Sequence, residues 1–385
     1  MNTRGKAVLL VAHVAGMIDL VALPVWVGVL VQHYHFNFEQ SGLLVTSFLL
    51  GAVAASLVLA PLFARLPRRL VAVAGYAAAA VSFLLAAGTA SLSELLVLHV
   101  IGGVGTGCGL SMAHGAIGRS ANPHRLFAIA GAALGVFAVA FYAVVPNLIA
   151  AHGGALLFKI IGVLMAIAAC AVLAFPALPA APTASAGKPC RISPATWFAL
   201  AGTACLTLNQ AIVFSFLERI GVGRGFDQGS VNLVLAAAGI VNLLPAVLAG
   251  LLQQRVAPLT VALAAPAAQA ALAIIITSST LFLPYAVAGA VYAFVVIFAH
   301  TFLFGLVARL DASGRATAAM PAVLMAGSAI GPILAGTVAQ RFGFGAIGIV
   351  ATIVAIAGIA CFARSARSHR AGAPATDAAT ASPQP

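Results

Sequence analysis

Long apolar runs recur along the whole chain, and no other feature restricts its fold so tightly. Residues 7–32 carry one acidic side chain, Asp19, in an otherwise uncharged stretch. Runs of 20 or more such residues cross roughly 30 Å of bilayer hydrocarbon as helices. Strands of a membrane barrel would be shorter and would alternate in polarity. Division at Gly, Pro and charge clusters predicts spans at 7–32, 41–64, 69–89, 93–117, 125–150, 154–176, 195–219, 229–252, 257–278, 281–307, 315–340 and 344–363. Only 7% of residues are charged and 63% are hydrophobic, whereas soluble domains carry roughly 25% charged residues. A soluble fold is excluded, and the chain reads as an all-α integral membrane protein with twelve transmembrane helices.

The net charge of +12 reads as a topology signal and not as a nucleic-acid site, because the charges fall singly or in small groups between spans. With the N-terminus inside, Arg4, Lys6, Arg65, Arg68, Arg69, Arg119, Arg125, Lys188, Arg191, Arg255, Arg309, Arg315, Arg364, Arg367 and Arg370 are cytoplasmic. Arg219, Arg224 and Arg341 fall outside, and Lys159 lies within span six, where it can snorkel to the surface. This asymmetry predicts an inner (plasma) membrane protein with both termini cytoplasmic. The basic, apolar start lacks a clear cleavage site and is read as a retained span. Residues 177–194, rich in Pro, Ala and Ser, are expected to link a bundle at 1–176 to another at 195–364, with a disordered tail at 365–385. The five cysteines form no CxxC pair, and neither a disulfide nor a metal site is expected. His33 and His35 supply two ligands at most, an incomplete site.

An internal repeat divides the chain in two. "NFEQSGLLVTSFLLG" at 37–51 matches "GFDQGSVNLVLAAAG" at 225–239, an acidic residue and a glutamine opening the second span of each half. Two six-span halves with a midplane site between them are a recurrent transporter architecture. The loop after span two, "APLFARLPRR", carries Leu62, Arg65, Arg68 and Arg69 in the register of G-x-L-a-D-R-x-G-R-K, with Ala60, Ala64 and Pro67 replacing Gly, Asp and Gly. Span four reads "HVIGGVG", with His99 at the arginine position of R-x-x-x-G-x-G. On these residues and the repeat, the chain resembles the major facilitator superfamily of secondary transporters, with features of its drug:proton antiporters and related efflux members. The resemblance implies two pseudo-symmetric six-helix bundles and a central cavity lined by spans one, four, seven and ten.

The intramembrane ionisable residues concentrate on those four spans. They are His13 and Asp19 in span one, His99 and His114 in span four, and His300 in span ten, with Asn209, Gln210 and Glu218 in span seven. Such groups are costly in a bilayer and face bundle interiors or aqueous cavities. Asp19 is expected to be the proton-coupling site, with Pro24 bending span one beside it and His99 as its titrating partner. His13, Asn209, Gln210, Tyr292 and His300 are expected to line the substrate cavity, although each amide serves equally well as interhelical glue. Glu218 and Arg219 are expected to form a gating or structural pair at the outer edge of span seven. Arg65, Arg68 and Arg69 form a basic clamp, and Gly327, Gly331, Pro332 and Gly336 in "GSAIGPILAG" of span eleven either pack helices closely or form a rocking contact between halves.

A cavity with one acid, several imidazoles and amides, and no arginine disfavours small anions, which arginine forks would clamp. A small neutral or cationic organic compound fits better, exported against protons by alternating access, with proton-coupled uptake as the alternative. No cofactor, no nucleic acid and a monomer in the lipid bilayer are expected. "GLSM" at 109–112 raises an intramembrane protease, but Ser111 lacks a base at any spacing that would serve it. A non-transporting receptor on the same scaffold is the other remote alternative.

Overall fold

A bilayer offers the backbone no hydrogen-bonding partners, so apolar segments there become helices that satisfy themselves. The computed structural model describes residues 2–59, 62–63, 65–176, 192–311 and 315–371, and among these there is no strand. The first half comprises α1 (Thr3–Gly16), α2 (Ile18–Gln32), α3 (Phe38–Leu59), α4 (Arg68–Ala86), α5 (Leu92–Gly118), α6 (Pro123–His152) and α7 (Ala155–Ala171). The second comprises α8 (Pro194–Ser215), α9 (Leu217–Gly223), α10 (Gln228–Val241), α11 (Pro245–Leu252), α12 (Pro258–Ser278), α13 (Phe282–Leu310), α14 (Arg315–Phe342) and α15 (Phe344–Ala371). Eleven helices among the described residues are long and apolar enough to span a membrane, α1 and α2 counting as one.

The eighth predicted span is the exception. It breaks at residues 242–244 into α10 and α11, with Pro245 opening α11 and taking a position where its missing N–H costs nothing. Span one is also interrupted, and not where expected: Pro24 sits inside α2, and the break falls at Met17 (φ −108°, ψ 23°). The tail boundary moves as well. Helix α15 continues through residues 365–371, and Ser365 is buried, its hydroxyl donating to the Ala195 carbonyl at 2.7 Å. The linker up to Arg191, the tail beyond Ala371, and Ala60 and Ala64 of the basic loop lie outside the described residues.

The repeated segment starts a helix in both halves, by different means. In the first copy Asn37 and Gln40 cap reciprocally: Gln40 N–H donates to Asn37 Oδ1 at 2.8 Å and Asn37 N–H to Gln40 Oε1 at 3.1 Å. In the second, Asp227 is the cap, its Oδ2 accepting from Ser230 N–H at 2.9 Å, after a left-handed Gly225 (φ 85°). Within each half, α4 packs on α5 and α7, and α12 on α13 and α15. These peripheral helices turn apolar side chains outward, among them Val81, Leu85, Val163, Ile349, Ile353 and Ile356, as a lipid-facing wall requires.

The halves meet along two seams, α3 with α14 and α6 with α10. The repeat relates α3 to α10 and α6 to α14, so it carries one seam onto the other. The α3–α14 contacts concentrate at the end away from the termini. There Gly42 faces the Pro332 carbonyl, Gly336 faces the Phe38 carbonyl, and the Phe38 ring packs at a tilt against Phe344 of α15 with centroids 5.0 Å apart.

Candidate functional site

Helix α1 packs on α5, α6 and α7 of its own half, whereas α2 also reaches α8 and α9 of the other half. The first span therefore passes from an open cleft to a closed seam at its break, Met17. A stripe along the first span, comprising Ala7, Val11 and Val14 of α1, Met17 at the break and Leu20 of α2, keeps partial or full exposure along the cleft, on a span otherwise largely buried in the bundle. The cleft opens towards the termini and closes at the opposite end.

Asp19 lies in the first turn of α2, immediately beyond the break. At 1.5 Å per residue it stands about 24 Å from the start of α1 and about 20 Å from the end of α2, near mid-membrane. At the break the Leu20 N–H turns back to the Met17 carbonyl at 3.2 Å, a tight turn in place of a regular helical bond, and the Asp19 carboxyl stands beside it in the first turn of α2, near its N-terminus. It is half-buried and forms no ion pair among the described residues. A carboxyl without a charged partner among the described residues, at the apex of an open cleft, can exchange a proton or meet a cationic solute.

His99 is elsewhere. It is fully buried inside the first bundle, its Nδ1 2.7 Å from the Leu95 carbonyl and its ring 5.4 Å from Trp26, 5.8 Å from Phe83 and 5.5 Å from Phe158. These rings come from α2, α4 and α7 and form an aromatic core. Trp26 lies seven residues beyond Asp19, about 10 Å along the helix. The expected pairing of His99 with Asp19 is therefore corrected: the aromatic cluster holds His99 away from the cleft.

His13 is bound to His114, Nδ1 to Nε2 at 2.9 Å, a bond that ties α1 to α5; His114 also meets Phe127 edge-on. In the second half Asn209 is sealed, its Nδ2 donating to the Ala351 carbonyl of α15 at 3.0 Å. The Tyr292 hydroxyl reaches both the Asn209 carbonyl and Oδ1 at 3.1 Å, so α8, α13 and α15 are joined at one point. Neither residue lines the cleft, which corrects their assignment to the cavity. Gln210 is directed at α12, where Gln269 Nε2 donates to its Oε1 at 3.4 Å. His300 remains half-buried on α13, its Nε2 enclosed with no partner.

The expected gating residues divide by place. On α14, Gly327 and Gly331 admit α8 of the same half, closing against Ala204 and Ala211, whereas Pro332 and Gly336 meet α3 across the seam. Arg65 and Arg69 are exposed at the terminus side, and the Arg68 guanidinium lies 5.4 Å from the Phe63 ring centre. Glu218 is 4% exposed beneath the closed end of the cleft, with Arg219 Nη1 3.7 Å from its Oε1. Sequence reasoning missed Gln32, Gln228 and Gln340, which join the halves there. Gln32 Nε2 donates to Gln228 Oε1 at 3.1 Å and Phe38 N–H to Gln340 Oε1 at 3.2 Å. Their signal is faint, because an amide at a span end looks like any interfacial residue.

Two solved structures share the fold. A bacterial homologue of the human lysosomal transporter Spinster, inward-facing and unoccupied, superposes with a TM-score of 0.71 at 15% identity, covering 97% of this chain and 100% of that one. The nucleoside transporter NupG, solved as a point mutant, gives a TM-score of 0.74 at 13% identity, covering 95% of this chain and 100% of that one. No curated protein sequence matches. The family model described as Major Facilitator Superfamily matches residues 8–309. With two helical halves, paired seams and a central cleft, this multi-pass membrane protein belongs to the Major Facilitator Superfamily of secondary transporters.

Proposed function

We propose that the protein exports a small neutral or cationic organic compound in exchange for protons, by alternating access, with Asp19 as the coupling site. The observation that carries this reading is the position of Asp19: an unpaired carboxyl at the break of the first span, where the cleft meets the closed seam. Protonated, it is a neutral donor that crosses the membrane's low-dielectric centre cheaply; ionised, it attracts a cationic group or a proton. Substrate and proton then compete for one site, which is sufficient to couple their movements in opposite directions. Among the described residues the enclosed Arg219 lies at the closed end and not beside Asp19, which supports cargo without a negative charge. The working setting is the inner membrane with cytoplasmic termini, supported by the fifteen of nineteen basic residues assigned to that side. The unit is a monomer that needs no cofactor.

Uptake by proton symport is the second reading. It is favoured by α6, whose Gly131 and Gly135 are not followed by the Gly-Pro of the family's antiporters. The two are separated by screening solute flux in proteoliposomes under an imposed pH gradient. Export by antiport gives accumulation on the acidic side, symport gives accumulation on the alkaline side, and flux indifferent to the gradient refutes both.

A further inference from the structure

The closed end of the cleft is built around a carboxyl that the Asp19 mechanism does not use. Glu218, in the first turn of α9, is 4% exposed. Its Oε1 accepts from Gln228 Nε2 at 2.9 Å, and its Oε2 is buried with no partner. Oε2 instead lies against Gly28 of α2, where any Cβ would collide with it. Arg219 Nη1 is 3.7 Å from Oε1, beyond hydrogen-bond reach, and Arg219 Nε and Nη1 are themselves unpartnered.

The same amide that serves Glu218 forms the latch. One hydrogen on Gln228 Nε2 goes to Glu218 and the other to Asn232 Oδ1 at 3.1 Å, which turns Gln228 Oε1 outward to accept from Gln32 of the first half. Closing the latch therefore seals Glu218 between Gly28 and Gln32 on α2 and Gln228 and Asn232 on α10. The other charged or titratable groups around it are few. Tyr285 of α13 spends its hydroxyl proton on the Leu217 carbonyl at 2.7 Å, and Arg224 turns to the Thr277 carbonyl of α12. Asp227 caps α10, and α8, α10 and α12 bring no ionisable residue other than Cys205.

A buried carboxylate needs donors on both oxygens; this site supplies one donor and a poorly placed cation. We infer that Glu218 is a proton-binding site of the latch, taking a proton onto Oε2 from water on the latch side as the halves close there and returning it when they part. The O–H bond forms and breaks at that oxygen alone, and Arg219 stays charged. Gly28 lies nine residues beyond Asp19, about 13 Å along the helix, so in this conformation the two carboxyls address opposite sides of the membrane. The inference rests on alternating access and not on Asp19 carrying the coupling proton.

The test uses the full-length protein in nanodiscs without substrate, its native cysteines replaced. Spin labels at Asn37→Cys and Phe342→Cys report the separation of the halves at the latch. Between pH 5 and 9 the ratio of closed to open should fall by up to about tenfold per pH unit as one proton is lost. Glu218→Gln should stay closed throughout. Gln32→Leu, which removes the bond between halves but leaves the carboxyl, should lower the closed fraction while keeping the pH slope. Asp19→Asn should titrate like the parent, which separates this site from the coupling site. A wild-type distribution that does not move with pH, or a Glu218→Gln variant that titrates unchanged, overturns the inference.

Discussion

Replacing Gly42 or Gly336 by alanine should shift the conformational equilibrium of the protein while leaving its bundles folded. A Cβ on Gly42 would run into the Pro332 carbonyl, and one on Gly336 into the Phe38 carbonyl, backbone atoms that cannot swing aside. Overpacking of this kind costs about 1–3 kcal/mol per site. Both contacts cross the α3–α14 seam at its closed end, so the cost is paid only while that end is shut. At 1.4 kcal/mol per tenfold, one substitution lowers the closed-to-open ratio by about 5- to 150-fold. Gly103→Ala is the control. Its Cβ would strike the Phe48 carbonyl inside the first bundle, a contact unaffected by rocking. It should lower thermal stability without moving the equilibrium. Interspin distances across the seam, read beside melting temperatures, separate the two behaviours. If Gly42→Ala and Gly336→Ala lose stability as Gly103→Ala does and leave the distances unchanged, the seam does not open and the rocking account fails.

Three further substitutions test the assignments within the bundles. Asn209→Leu removes the donor to the Ala351 carbonyl and leaves the Tyr292 hydroxyl only the backbone carbonyl of residue 209; it should cost about 1 kcal/mol of stability, without altering which solutes compete for transport. His99→Phe fits an aromatic core and should leave the pH dependence of flux unchanged; a shifted profile would return His99 to the coupling mechanism. His114→Ala breaks the bond to His13 and should loosen α1 from α5, lowering the melting temperature while the number of protons moved per substrate stays the same.

The fold was legible because apolar length and charge position are direct consequences of the bilayer. The spans, the repeat and the two-half architecture follow from them. The breaks were not legible. Pro24 is the obvious helix breaker in span one, yet it is accommodated inside α2, because neighbouring helices tolerate a missing donor within a bundle. Met17, which carries no such signal, is where the chain departs from the helix. The site was half legible. Asp19 stood out by cost alone, and its span places it on the cleft. By span, His99 was paired with Asp19, and Asn209 and Tyr292 were assigned to the cavity, but rotation about the helix axis decides which face a residue takes. In spans as uniformly apolar as these, periodicity says little about that rotation. Trp26, Phe83 and Phe158 claim His99, and the Ala351 carbonyl claims Asn209, through contacts distant in sequence.

The central claim is that Asp19 carries the proton whose movement drives the solute. It is tested most directly by purified protein in proteoliposomes containing a pH-sensitive dye, with a transported solute supplied as a gradient and no imposed pH difference. Wild type should acidify or alkalinise the lumen as solute flows, and Asp19→Asn should pass solute down its gradient with no accompanying pH change. Proton movement at the wild-type ratio in Asp19→Asn would contradict the account.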